Sequence, residues 1–204
     1  GSAACSDAKQ YEIMSKFGNG NNPTEGSKMA VFSSGTALLP TDTGYVKPDG
    51  NGYSANTSST PKYSVPAAAG CSSGTAGYDS CGLKLVIKAP TNANSFGYNF
   101  NFFTSEYPEW LCTSYNDAYV AYYEGSLNTQ TNKNISYDSV GNPVSVNNGL
   151  FSIPGVWPPP TSGSNALLNG TGYDGVCSNN PGGKKPSGPK CPEMAGKIAT
   201  PAAK

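Results

Sequence analysis

Glu106, Glu109 and Asp117 are three of the chain's thirteen acidic residues, and they cluster in the segment Ser105-Glu106-Tyr107-Pro108-Glu109-Trp110-Leu111-Cys112-Thr113-Ser114-Tyr115-Asn116-Asp117. Oxygen donors gathered on a loop between strands suit a hard cation such as Ca²⁺, and the sequence offers no histidine and no CxxC pair for a softer metal. Glu106, Glu109, Asn116 and Asp117 are thus the candidate metal ligands, with Ca²⁺ in a structural role. The plain alternative is an Asn-Asp turn with solvated carboxylates beside a proline. Glu106 with Glu109 or Asp117 is also a candidate acid–base pair for glycoside hydrolysis, but nothing in the spacing fixes the separation that this chemistry requires. Tyr107, Trp110, Tyr115 and Trp157 are aromatics of the kind that stack on sugar rings when a loop exposes them.

Composition narrows the choice. The chain has 204 residues, a one-domain length, and a formal net charge of zero. All thirteen basic residues are lysine; arginine and histidine are both missing. Nucleic-acid readout leans on arginine, and histidine triads and the HExxH zinc site need imidazole, so none of these is expected. Leu, Ile, Val and Phe together number only 31, whereas Phe, Trp and Tyr number 22. A folded, surface-rich β protein with a thin aromatic core is expected.

Six cysteines stand at Cys5, Cys71, Cys81, Cys112, Cys177 and Cys191. An even number without a metal-ligand pattern favours disulfides, and hence an exported protein in an oxidising compartment. Short gaps suggest Cys71–Cys81 and Cys177–Cys191, leaving Cys5 with Cys112. No signal peptide and no apolar run of membrane length is present. The sequons at Asn56, Asn134 and Asn169 matter only in a host that N-glycosylates.

The elements that must position these groups are short. Ser6 to Phe17 reads as the one helix, with Ser6 as N-cap, Ala8, Tyr11 and Met14 at helical spacing and Gly18 as the stop. Strands are expected at 28–33, 83–88, 95–104, 118–124, 134–137, 144–147 and 150–153. The clearest alternation sets Phe96, Tyr98, Phe100 and Phe102 on one face of a strand. Residues 41–80 and 157–192 are expected as long, disulfide-closed surface loops. The expected architecture is a single all-β domain over 1–204, a β-sandwich or jelly-roll with one short N-terminal helix.

The segments Ser105-Glu106-Tyr107-Pro108-Glu109-Trp110 and Asn116-Asp117-Ala118-Tyr119-Val120 resemble the signature of the choice-of-anchor L domain. So do Val31-Phe32-Ser33-Ser34-Gly35-Thr36-Ala37, Pro40-Thr41-Asp42, Gly141-Asn142-Pro143-Val144-Ser145-Val146-Asn147-Asn148 and Leu168-Asn169-Gly170-Thr171-Gly172-Tyr173. The resemblance spans roughly residues 5 to 175. It implies an extracellular or cell-surface β-sandwich of the myxobacterial type, in a family whose biochemical role is largely undefined; the preferred reading of this chain is a non-enzymatic protein acting in adhesion or assembly. The family's C-terminal strands and their acidic D-x-G-D-x-x-L-D-S motif have no counterpart before Lys204. The resemblance thus implies half of a joint cation site, with the last strands either cut away or, as preferred here, supplied in trans by a second chain or by self-assembly. Surface glycans are the alternative partner; nucleic acid and a transmembrane segment are not expected.

Overall fold

The computed structural model describes residues 2–47, 58–59, 77–104, 116–125, 134–137, 143–146, 169–173 and 197–199. These residues form small antiparallel sheets compatible with an all-β protein. Strand β1 (Ser2–Cys5) pairs with β6 (Cys81–Lys84), setting Cys5 opposite Cys81. β2 (Tyr11–Met14) pairs with β3 (Met29–Phe32), and the two-residue strands β4 (Ser58–Ser59) and β5 (Gly77–Tyr78) pair with each other. β7 (Phe102–Thr104) pairs with β8 (Lys197–Ala199).

The helix expected over Ser6–Phe17 is replaced by one 3-10 turn, Ala8–Gln10, and by β2. Asp7, not Ser6, is the cap. Its carboxylate accepts from the Lys9 amide at 2.8 Å, while the Gln10 side chain accepts from the Asp7 amide at 2.8 Å. A helix of this length is marginal without tertiary support. Tyr11 and Ile13 instead gain cross-strand partners in Phe32 and Ala30, where β-branched and aromatic residues are favoured.

Gln10 is the junction of this region. It is fully buried, its Nε2 donates to the Asp79 carbonyl at 2.7 Å, and its own carbonyl accepts from the Ser33 amide at 2.9 Å. Through its side chain and its carbonyl, one residue therefore joins the 3-10 turn, the residue after β3 and the turn before β6.

The expected strand 28–33 contains β3. Only the last residues of 95–104 form a strand, β7, and only Leu83 and Lys84 of 83–88 belong to β6. Segments 116–125, 134–137 and 143–146 meet through single bridges, Ala118 to Ser145, Tyr122 to Asn134 and Tyr137 to Pro143. Residues 150–153 lie outside the described residues. The segment expected as a loop over 41–80 includes β4, β5 and the turn that leads into β6.

The described core is small and polar. Phe17, Ala37, Val144 and Val146 are its buried hydrophobics, beside buried Gln10, Asn21, Thr104, Asn134, Ser136, Ser145 and Thr171. Aromatic pairs extend it: Phe103 packs edge-on against Phe17 and lies 5.6 Å from Tyr173, and Phe100 stacks on Tyr119 at 4.3 Å. Asn134 earns its burial by bonding locally, its Oδ1 accepting from the Ser136 amide at 2.9 Å and hydroxyl at 2.6 Å. Asn134→Ala is expected to destabilise by about 1–3 kcal/mol in a denaturant titration, since it takes the side-chain acceptor from the buried Ser136 amide, whereas the Ser136 hydroxyl keeps the Tyr119 carbonyl at 3.1 Å. The sequon at Asn134 is inaccessible in the folded chain, whereas Asn169 is exposed.

Two glycine loops clasp across 150 residues of sequence. The Asn19 amide donates to the Asn169 carbonyl at 2.7 Å, and their side chains meet at 3.2 Å. Gly18 has φ +65, and a Cβ there falls 2.6 Å from both the Asn169 carbonyl oxygen and Thr171 Cγ2. Gly18→Ala combines a left-handed backbone with a clash against main chain, so a loss of roughly 2 kcal/mol or more is expected on thermal unfolding.

Candidate functional site

Of the expected metal ligands, Asn116 and Asp117 lie among the described residues; Glu106 and Glu109 lie outside them. The proposed stacking residues Tyr107, Trp110, Tyr115 and Trp157 also lie outside, as do Cys71, Cys112, Cys177 and Cys191.

The Asp117 environment follows from strand register. Ala118 bridges Ser145, the Val146 amide donates to the Asp117 carbonyl at 2.9 Å, and the Tyr119 amide donates to the Val144 carbonyl at 2.9 Å. Residues opposite one another across an antiparallel pair share a face, so Asp117 and Tyr119 lie on the face of Val144 and Val146. Both valines are fully buried. Burial on that apolar side, with the Asp79 carboxylate as a second cause, pushes the Asp117 carboxyl from 3.8 up to about 6. The Tyr119 phenol is likewise pushed up, first by burial and then by its hydrogen bond with Tyr98. Tyr119 is therefore neutral at any working pH.

Asp79 is the partner that the sequence did not bring out, 38 residues away in the turn between β5 and β6. It is buried, with φ 52, a left-handed conformation that Asp tolerates better than most residues. The Tyr-Asp-Ser sequence of that turn was its only trace. Two carboxylates that repel on a largely dehydrated face are what a divalent cation would relieve; Asn116 adjoins Asp117 in sequence. Among the described residues no group of three or more His, Cys, Asp or Glu side chains comes together to hold a metal. Asp79, Asn116 and Asp117 fall short of the six to eight oxygens that Ca²⁺ takes.

The disulfide arrangement differs from the expected one. Cys5 bonds Cys81, not Cys112, and Cys81 does not pair with Cys71. Short gaps favour local closure by chain entropy alone, but β1–β6 pairing places Cys5 directly across from Cys81 and overrides it.

Two exposed apolar surfaces accompany this frame. Tyr11, Ile13, Ala30 and Phe32 share the outer face of β2–β3, with Tyr11 directly across from Phe32. Leu83, Leu85, Val86 and Ile87 form the second surface. No described helix is long and apolar enough to cross a membrane. Compared with known proteins, the chain matches no family model, no curated protein and no solved structure.

Proposed function

We propose that this chain is an exported, non-catalytic cell-surface or extracellular protein that acts in adhesion or assembly, built as a β-sandwich and stabilised by Ca²⁺. The observation that carries the reading is the Cys5–Cys81 disulfide, which ties the first strand to β6 across 76 residues. Such a link persists in oxidising compartments and supports a domain whose apolar core is thin. The resemblance to choice-of-anchor L domains points the same way. Exposed apolar faces on β2–β3 and after β6 fit a protein that works through its surface. Ca²⁺ is proposed for Asp79, Asn116 and Asp117, with Glu106 and Glu109 as further donors, because a cation offsets the burial penalty and, with it, the Asp79 repulsion that together raise Asp117.

The direct test is to add labelled purified protein to producer cells stripped of it. Saturable binding that a chelator weakens and Ca²⁺ restores is expected. Absence of binding at any Ca²⁺ concentration would remove the adhesion reading.

A carbohydrate-binding role has its own supporting observation in the Tyr11–Phe32 pair, two exposed rings side by side on a two-stranded platform. If glycans bind there, Tyr11→Ala should weaken retention on a polysaccharide column about tenfold while leaving the Ca²⁺ response intact.

A further inference from the structure

β6 ends at Lys84, and the chain runs on as Leu85-Val86-Ile87-Lys88-Ala89-Pro90. Leu85 is 61 %, Val86 86 % and Ile87 74 % exposed, and Leu83 within β6 is 45 % exposed. Single exposed aliphatics are ordinary, but four within five residues form a patch. Val and Ile are strong strand formers, yet Leu85, Val86 and Ile87 make no hydrogen bond to any described residue. The run therefore has the side chains of a sheet strand while its backbone donors and acceptors have no hydrogen-bond partner among the described residues. Continued in the β6 conformation, Leu83, Leu85 and Ile87 fall on one face, and Lys84, Val86 and Lys88 on the other. Both lysines are exposed.

We infer that Leu83–Lys88 is a docking edge for an extended segment of a partner protein, apolar on one face and acidic on the other, which adds to it as a strand. The inference rests on the assembly reading above and names the surface it uses. Among the described strands β6 pairs only with β1, on one side, so the added strand lies along the other. Charge selects the partner. An antiparallel strand with acidic residues four apart places one carboxylate across from Lys84 and one across from Lys88. A second copy of this chain, paired antiparallel about Val86, sets Lys84 against Lys88 at both ends, and like charges directly opposite one another destabilise a sheet. An acidic, amphipathic strand is the better fit.

The test uses two synthetic peptides with cores Glu-Val-Thr-Val-Glu and Lys-Val-Thr-Val-Lys, read by titration calorimetry and amide hydrogen exchange on the whole protein. The acidic peptide is expected to protect the amides of residues 85–88 and to bind about tenfold or more tightly than the lysine peptide. Val86→Pro removes a donor that has no partner among the described residues, so it should leave the fold intact and abolish that binding. The double change Lys84→Glu and Lys88→Glu should invert the preference between peptides. Equal binding of both peptides, or no protection by either, would overturn the proposal. So would concentration-dependent protection without peptide accompanied by a dimer mass, which would identify a second copy as the occupant. The adhesion reading is tested apart from this: cell binding that survives Val86→Pro sinks the docking edge alone, whereas cell binding absent from the unaltered protein sinks the reading beneath it.

Discussion

Replacing Cys5 and Cys81 together by serine is expected to lower the free energy of unfolding by about 4 kcal/mol. The bond closes a loop of 76 residues, and the entropy it removes from the unfolded chain grows with the logarithm of that length. Its share in this protein is large for two reasons. β1 is only four residues long and, among the described strands, pairs with β6 alone, so little else in its own sheet holds the N-terminus in place. The same bond also brings Cys81 Sγ to 3.3 Å from the Gln10 carbonyl, beside the residue that joins the 3-10 turn to the turn before β6. Guanidinium titrations of the unaltered and double-serine proteins measure the difference directly. A midpoint unmoved by the substitution would mean that contacts other than the disulfide, the Gln10 junction among them, hold this region together.

Asp117→Asn is expected to stabilise the metal-free protein at neutral pH by up to about 3 kcal/mol, an upper bound because the side chain retains some contact with water. The direction follows from linkage. Asp117 ionises near 3.8 when unfolded and near 6 when folded. Its favourable contribution is complete below about pH 3.8, is lost as pH rises through about 6, and stays lost above. In chelator, the unaltered protein should therefore melt at a higher temperature at pH 5 than at pH 7.5, as far as this group governs it, and the Asn variant should show a flatter profile. Added Ca²⁺ should raise the melting temperature of the unaltered protein at pH 7.5 and do much less for the variant. A Ca²⁺ response of equal size in both proteins would take the cation away from Asp117. Equal stability of the two proteins in chelator at pH 7.5 would remove the burial penalty itself.

Some of this was legible in the residues and some was not, for physical reasons. β3 could be read from Met29-Ala30-Val31-Phe32, where strand propensity and alternation agree. At Ala8, Tyr11 and Met14 the apolar spacing fits a helix, but local spacing does not record that Phe32 and Ala30 stand ready across the sheet. The aromatic alternation of Phe96 to Phe102 held in part. Tyr98 and Phe100 lie with ring centroids 5.8 Å apart, while Phe103, from the opposite set, is the ring that reaches Phe17 and Tyr173. Asp117 was visible as a candidate because Asn-Asp is a distinctive pair. Asp79 was not, because its proximity is a product of tertiary structure that no spacing encodes. The pairings of Cys71 with Cys81 and of Cys5 with Cys112 failed likewise, since short loops are favoured only where strand pairing does not decide the matter.

The central claim, a surface protein folded in an oxidising compartment, is tested most directly by trapping thiols in producer cells before they are broken. Fractions are then compared by mass spectrometry after non-reducing digestion. The account predicts that the chain is found in the surface or extracellular fraction, with the Cys5 and Cys81 peptides joined and unalkylated. Recovery from the cytosolic fraction with both cysteines alkylated would contradict it.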